Sequence, residues 1–169
     1  MHIHLPETLR RRQRGVVAIE FALVGMFVFF PLVLMLVDAG RALFIYNTIQ
    51  EVTRSAAREA SIRWVDKGSV IRNIALFGGT SAPGAPEITT ANITIDYLNA
   101  TSDTPIASLP SSPGDNMSAC ADVGRANQCI DRVKVSVVGV TFKSLTGIAD
   151  ITMPESTVIL HAESMGFND

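Results

Sequence analysis

The chain has 169 residues, 47% of them hydrophobic, and a formal net charge of −2. That length holds about one domain and a further segment. The weakly acidic balance gives no hint of the basic surface that nucleic-acid binding requires, and two cysteines and three histidines offer no recognisable set of four zinc ligands.

The charge is unevenly placed. Residues 1–15 carry Arg10, Arg11, Arg12 and Arg14 against Glu7, a net of +3, and residues 16–169 carry a net of −5. From Val16 to Val37 the only charged side chain is Glu20. A helix of that length, at ~1.5 Å per residue, crosses a hydrocarbon core of ~30 Å. We therefore divide the chain into a basic leader (1–15), a transmembrane helix segment (16–38), an amphipathic helical region (39–79) and an extracytoplasmic strand-rich region (80–169). Arginines ahead of an apolar span stay on the cytoplasmic side. The N-terminus is then inside, and the chain beyond the span outside.

The leader is polar and too short to fold by itself. Pro31 lies in mid-span and cannot donate to the carbonyl of Phe27, so a bend is expected there. From Ala39 to Trp64 no proline interrupts the pattern. Ala42, Ile45, Tyr46, Ile49, Val52, Ala56 and Ala60 recur at three- and four-residue steps, which is one helix face. Glu59 and Arg63 stand in the favourable i,i+4 order. The expectation is one long helix from about residue 16 to about 65. Ser69 then caps a short helix that Gly78-Gly79 terminates.

"TSAPGAPE" (80–87) reads as a linker or turn. Ile93, Ile95 and Tyr97 alternate with Thr94 and Asp96, as in a strand. Residues 100–118, rich in Ser, Pro, Thr and Asp, read as a loop. Val133, Val135 and Val137 alternate, and Gly139 sits where the apolar phase shifts, as a β-bulge would place it. Thr157–Glu163 alternates again. The fold class expected is α+β: a long membrane-spanning helix continues into an amphipathic helix packed against a small antiparallel sheet. Cys120 and Cys129 both fall outside the membrane, where an oxidising compartment allows a disulfide.

Glu20 is the residue that calls for an explanation. A carboxylate at the centre of a span costs ~2.5–3.5 kcal/mol, and less near an end. On one reading it reaches the headgroups or pairs with Arg12 or Arg14. On the other, the chain is cut after Gly15, and the new amine of Val16 meets the carboxylate at matching depth, within one helix or between neighbours. Pairing removes most of the penalty on a buried charge.

The basic leader, Gly15, the apolar helix and Glu20 at the fifth place after the glycine resemble a type IV prepilin signal. Ala18, Glu20, Phe21, Ala22, Leu23, Pro31, Asp38, Gly40, Arg41, Asn47, Ala56, Ala57, Arg58 and Ala60 resemble the TadE-like pseudopilins of the tight-adherence (Flp) pilus system. The resemblance covers about residues 12–60. It implies a pilin-like fold and a non-enzymatic minor pseudopilin that contributes to an adhesive pilus. A prepilin peptidase would cut between Gly15 and Val16, and Glu20 would serve assembly or recognition. The implied partners are other pilins or pseudopilins, inner-membrane pilus assembly proteins and the lipid bilayer. The implied location is the bacterial inner membrane, single-pass, with the C-terminal region periplasmic.

Two rivals differ from this reading. "VDA" at 37–39 before Gly40 has the small residues that a signal peptidase reads, but the apolar run exceeds the usual ~7–15 residues and contains a carboxylate. A single-span anchored ligand-binding or sensor domain needs neither a cut at Gly15 nor a role for Glu20. No enzyme constellation, cofactor or metal site is expected. His2 and His4 lie in the leader, and His161 falls on the wetter face of a strand beside Ile159. Asn92, Asn99 and Asn116 open glycosylation sequons that read as incidental.

Overall fold

The structure, a computed structural model, describes residues 7–147, 150–163 and 165, with the backbone alone for 7–14. His2 and His4, and the side chains of Arg10, Arg11, Arg12 and Arg14, lie outside the described residues. The chain forms two compact units. One comprises the N-terminal helix as far as Ala42 with the segment that starts at Lys143; the other comprises Leu43–Phe142 with the residues from Asp150 onward.

In the first unit, helix α1 spans Glu7–Val24, a π-helical turn follows at Gly25–Phe29, and helix α2 begins at Phe30 and runs to Ile62. The helix therefore starts ahead of Gly15, earlier than the sequence suggested. Nucleation is the unfavourable step of helix formation, so leader residues extend an existing helix far more readily than they would form one alone. The π turn answers Pro31. Proline removes one N–H and crowds the carbonyl four residues back. The turn just before it is widened, and the Phe30 N–H reaches Gly25 O. Such insertions are a recognised cause of helix distortion.

In the second unit, α2 presents Ile45, Ile49, Val52, Thr53, Ala56, Ala57 and Ala60 at 0–1% exposure. Tyr46, expected on that face, is 40% exposed. It stands one position past Ile45, about 100° around the helix, and Thr53 takes a place in the buried stripe. Its hydroxyl donates to Ile49 O at 2.7 Å, so no polar group is left unpaired there. Arg63 Nε donates to Glu59 Oε2 at 2.8 Å, as the spacing predicts.

Helix α3 (Gly68–Ala75) follows a 3₁₀ turn at Val65–Lys67. No side chain caps it. The 3₁₀ turn runs directly into the helix, so Ser69 already lies inside it and cannot serve as the expected cap. Gly78 ends the segment, its N–H bonded to Asn73 O at 2.8 Å. The stretch 80–87, expected to be a linker or turn, contains the turn of a small hairpin, β1 (Ser81–Ala82) with β2 (Ala85–Thr89). Gly84 in its turn has φ +74°, and a Cβ there would lie 3.2 Å from the Phe44 ring. Only glycine meets both demands.

The main sheet consists of β3 (Ile93–Leu98), β4 (Arg132–Val137) and β7 (Ser156–His161), in the order β3-β4-β7 and antiparallel throughout. Ile93, Ile95 and Tyr97 stand opposite Val137, Val135 and Val133. Val133, Val135 and Val137 in turn face Leu160, Val158 and Ser156. One face is thus apolar, and each Val or Ile fully buried in it contributes ~1.5–3 kcal/mol relative to exposure. β7 and the chain just after it are tied to α2: Ser156 Oγ donates to Gln50 Oε1 at 3.3 Å, and Glu163 N–H to Ser61 O at 2.8 Å. His161 is exposed on the opposite face with Ile159.

Two further expectations change. Gly139, at φ +70°, is not a bulge within a strand. It turns the chain between β4 and β5 (Thr141–Lys143), which pairs with β6 (Asp150–Thr152). The end of the stretch 100–118, expected to be loop, instead opens helix α4 (Pro113–Ala121). Ser112 caps it by accepting from Asp115 N–H at 3.1 Å, and Pro113 occupies the first turn. Serine and proline are helix-start residues as well as loop residues, which is why composition misled.

Cys120 and Cys129 are joined by a disulfide with Cα atoms 4.7 Å apart. It closes α4 onto the following 3₁₀ turn (Val123–Gln128). From within the closed loop Arg125 Nη2 meets Asp115 Oδ1 of α4 at 2.8 Å and, with the Ser111 backbone, holds the Asp115 carboxyl below its ordinary value. Buried Asn116 Oδ1 accepts from Ile130 N–H at 2.8 Å.

Closing a loop of this size removes about 2–3 kcal/mol of denatured-state entropy. Cys120→Ser/Cys129→Ser should lower unfolding free energy by about that amount, measured by denaturant titration in detergent with the fluorescence of the single tryptophan. Tyr97 carries the opposite expectation. Its hydroxyl is buried with no hydrogen-bond partner among the described residues, and burial pushes its pKa up to about 12. Tyr97→Phe removes an unpaired polar group, so it should leave stability unchanged or raise it by about 1 kcal/mol in the same titration.

Candidate assembly site on the N-terminal helix

The apolar run carries its side chains outward. Val17 is 64% exposed, Phe21 80% and Leu36 72%, and the other large apolar residues between them are exposed as well. An 18-residue window of this helix has a mean hydropathy of 2.5 and none of it is buried. A continuous apolar surface of this kind is not held in water. By length and composition the helix can cross a membrane.

Gly15, Val16 and Glu20 all lie within α1 and are exposed. Val16 and Glu20 are four residues apart, so they share one helix face a turn apart. Among the described residues no side chain pairs with Glu20. A Cβ placed on Gly15 would meet nothing within 4 Å. Glycine inside a helix is roughly 1 kcal/mol less favourable than alanine. Nothing packed there among the described residues accounts for it.

The structure also gathers a cluster that sequence reasoning did not single out. Asp38, at the end of the span, is 8% exposed. Its carboxylate accepts from Ser144 Oγ at 2.5 Å and from Leu145 N–H at 3.1 Å. Arg41 Nη1 lies 3.7 Å from Asp38 Oδ1 and donates to Lys143 O at 3.4 Å. One carboxylate thus fixes a segment more than a hundred positions further along the chain. Half of the signal was present: Asp38 and Arg41 stand at i,i+3 where the apolar run stops. Their partners in 143–145 were not inferable, because no local pattern links them.

The sequon asparagines are structural. Asn92 Oδ1 accepts from Thr89 N–H at 2.9 Å while its Nδ2 donates to Val138 O at 3.0 Å. Asn99 Oδ1 accepts from Ser102 N–H at 2.7 Å, and Asn116 is buried as described above. Among the described residues no three His, Cys, Asp or Glu side chains gather as a metal site would require.

These features define a helix-anchored α+β protein whose N-terminal helix suggests a single-pass membrane anchor. The model of the TadE-like protein family matches residues 15–58, beginning at the glycine and ending within α2. The match identifies this stretch as TadE-like, consistent with a TadE-like protein of the Tad/Flp pilus system, a family that is structural rather than enzymatic. No curated protein and no solved structure matches the chain.

Asp38→Ala should free the Ser144 hydroxyl and the Leu145 amide. Losing the acceptor for such groups costs ~1–3 kcal/mol locally. The Leu145 amide should then exchange with deuterium about tenfold faster or more, while amides of β3 and β4 keep their protection.

Proposed function

We propose that the protein is a minor pseudopilin, a non-enzymatic component in the assembly of a tight-adherence (Flp, type IVb-like) pilus and through it of cell adhesion. A prepilin peptidase cuts between Gly15 and Val16. The mature helix stays in the bacterial inner membrane or docks with other pilins, pseudopilins and membrane assembly proteins, with its C-terminal region in the periplasm. The observation that carries this reading is the TadE-like match starting at a glycine which no packing among the described residues requires.

Glu20 then has a chemical role. Cleavage makes an ammonium at Val16, on the same helix face as the carboxylate. Between neighbouring helices the two meet directly, and the pair sets the depth at which one helix docks on another. An unpaired carboxylate in hydrocarbon is strongly disfavoured, so the register with the pair formed is the preferred one. The Arg10, Arg11, Arg12 and Arg14 cluster holds the leader on the cytoplasmic side until the cut. A cut at residue 39 fits less well, because α2 runs unbroken through Val37–Gly40 with Asp38 engaged.

Intact-mass analysis of protein from the native membrane should show a mature chain that begins at Val16. A chain that retains its arginines in piliated cells would exclude the cleavage. Gly15→Arg should leave only the full-length form in membranes. Glu20→Ala should insert normally, since it removes a desolvation cost, yet fail to support pili by electron microscopy.

A further inference from the structure

The β3-β4-β7 sheet has two edges, and the chain treats them differently. Val138 N–H bonds to Asn92 O, and the register continues as Ile93 opposite Val137. The alternation of an antiparallel ladder therefore turns the backbone groups of Ile93, Ile95 and Tyr97 away from β4. This edge is largely sealed. Arg72 Nε donates to Ile93 O at 3.0 Å, Ile106 N–H donates to Tyr97 O at 2.9 Å, and a Leu98–Pro105 bridge closes its end.

At the other edge, Ala162 N–H bonds to Asp131 O next to the Arg132–His161 pair. The same alternation turns the N–H and C=O groups of Thr157, Ile159 and His161 outward. Among the described residues no hydrogen bond reaches these groups. Ile159 is 42% exposed, and the His161 side chain 80%. Natural edges are guarded by lysine, proline, inward charges or bulges. The strand Ser156–His161, STVILH, has none of them.

We propose that β7 pairs antiparallel with β7 of a second copy of this chain. The strand is self-complementary about Val158. A two-fold axis there sets Thr157 opposite Ile159 of the second copy and Glu155 opposite its His161. Every outward group of Thr157, Ile159 and His161 then has a partner, and a carboxylate meets an imidazole at each end. The next allowed register, with the axis at Ile159, sets Glu155 against Glu163, so like charges disfavour it. The resulting contact is isologous, the usual basis of a closed dimer. It is separate from the pilus reading and requires no cut at Gly15.

The test uses the full chain in detergent micelles or nanodiscs. Across the two-fold axis the Val158 residues form a non-hydrogen-bonded pair, with Cα atoms at ~4.5 Å, within disulfide reach. Val158→Cys should give a disulfide-linked dimer on mild oxidation. Adding Ile159→Pro, which removes one outward N–H, should reduce that dimer at least tenfold while circular dichroism stays native. His161→Glu should also weaken it, by opposing Glu155, and Glu155→Arg with His161→Glu should restore it. This charge swap keeps the proposal testable if Ile159→Pro does not fold. A folded Val158→Cys protein that stays monomeric would overturn the pairing. So would cross-linking indifferent to both the proline and the charge reversal.

Discussion

A run of exposed apolar side chains from Val16 to Val37, with no covering element among the described residues, is the constraint from which the remaining features follow. Water cannot be the solvent of that surface, and a hydrocarbon phase or the apolar flank of another helix can. Every polar feature within or beside the run therefore carries a cost that needs a reason. Pro31 is accommodated by the π turn, in which Phe30 finds Gly25 O. Asp38 is supplied with Ser144, Leu145 and Arg41. Glu20 alone has no such provision among the described residues.

The second half of the same helix obeys a different rule. Its buried stripe narrows to Ala56, Ala57 and Ala60. Val133, Val135 and Val137 of the main sheet are buried as well. The helical run thus exposes its apolar side chains along the first part and buries those of one stripe along the second. The change falls where Asp38 and Arg41 introduce charge.

Away from the helix, order comes from a few polar side chains that each satisfy several backbone groups. Arg132 gathers Asn99 O, Ser102 O and the Asp103 carboxylate. Asn92 joins the chain before β3 to the chain after β4, and Asn116 joins α4 to the residue after Cys129. These contacts, with the disulfide, explain how a region rich in Ser, Thr, Asp and Pro holds a defined course with few large apolar residues. They also give the sequon asparagines a purpose unrelated to glycans.

The sequence by itself determined the elements whose side chains repeat with a period. The outward apolar run, the buried stripe of α2, and the alternating strands β3, β4 and β7 were legible because solvent and core sort side chains at 3.6 and 2 residues. The family resemblance carried by Gly15, Glu20, Asp38 and Arg41 was legible too, because it rests on residue identities along the chain, although it gave Asp38 and Arg41 no partners. Helix α4 and the β1–β2 hairpin were not, since Ser112, Pro113, Pro83 and Gly84 signal a turn or a helix start equally well until a partner is present. Tyr46 was misplaced because one step along a helix is 100°, and a sequence does not fix where the core boundary cuts that circle. Only the tertiary structure brought Asp38 to Ser144 and sealed one sheet edge while leaving the other open. Those outcomes depend on residues far apart in the chain meeting in space, and no local pattern records such meetings.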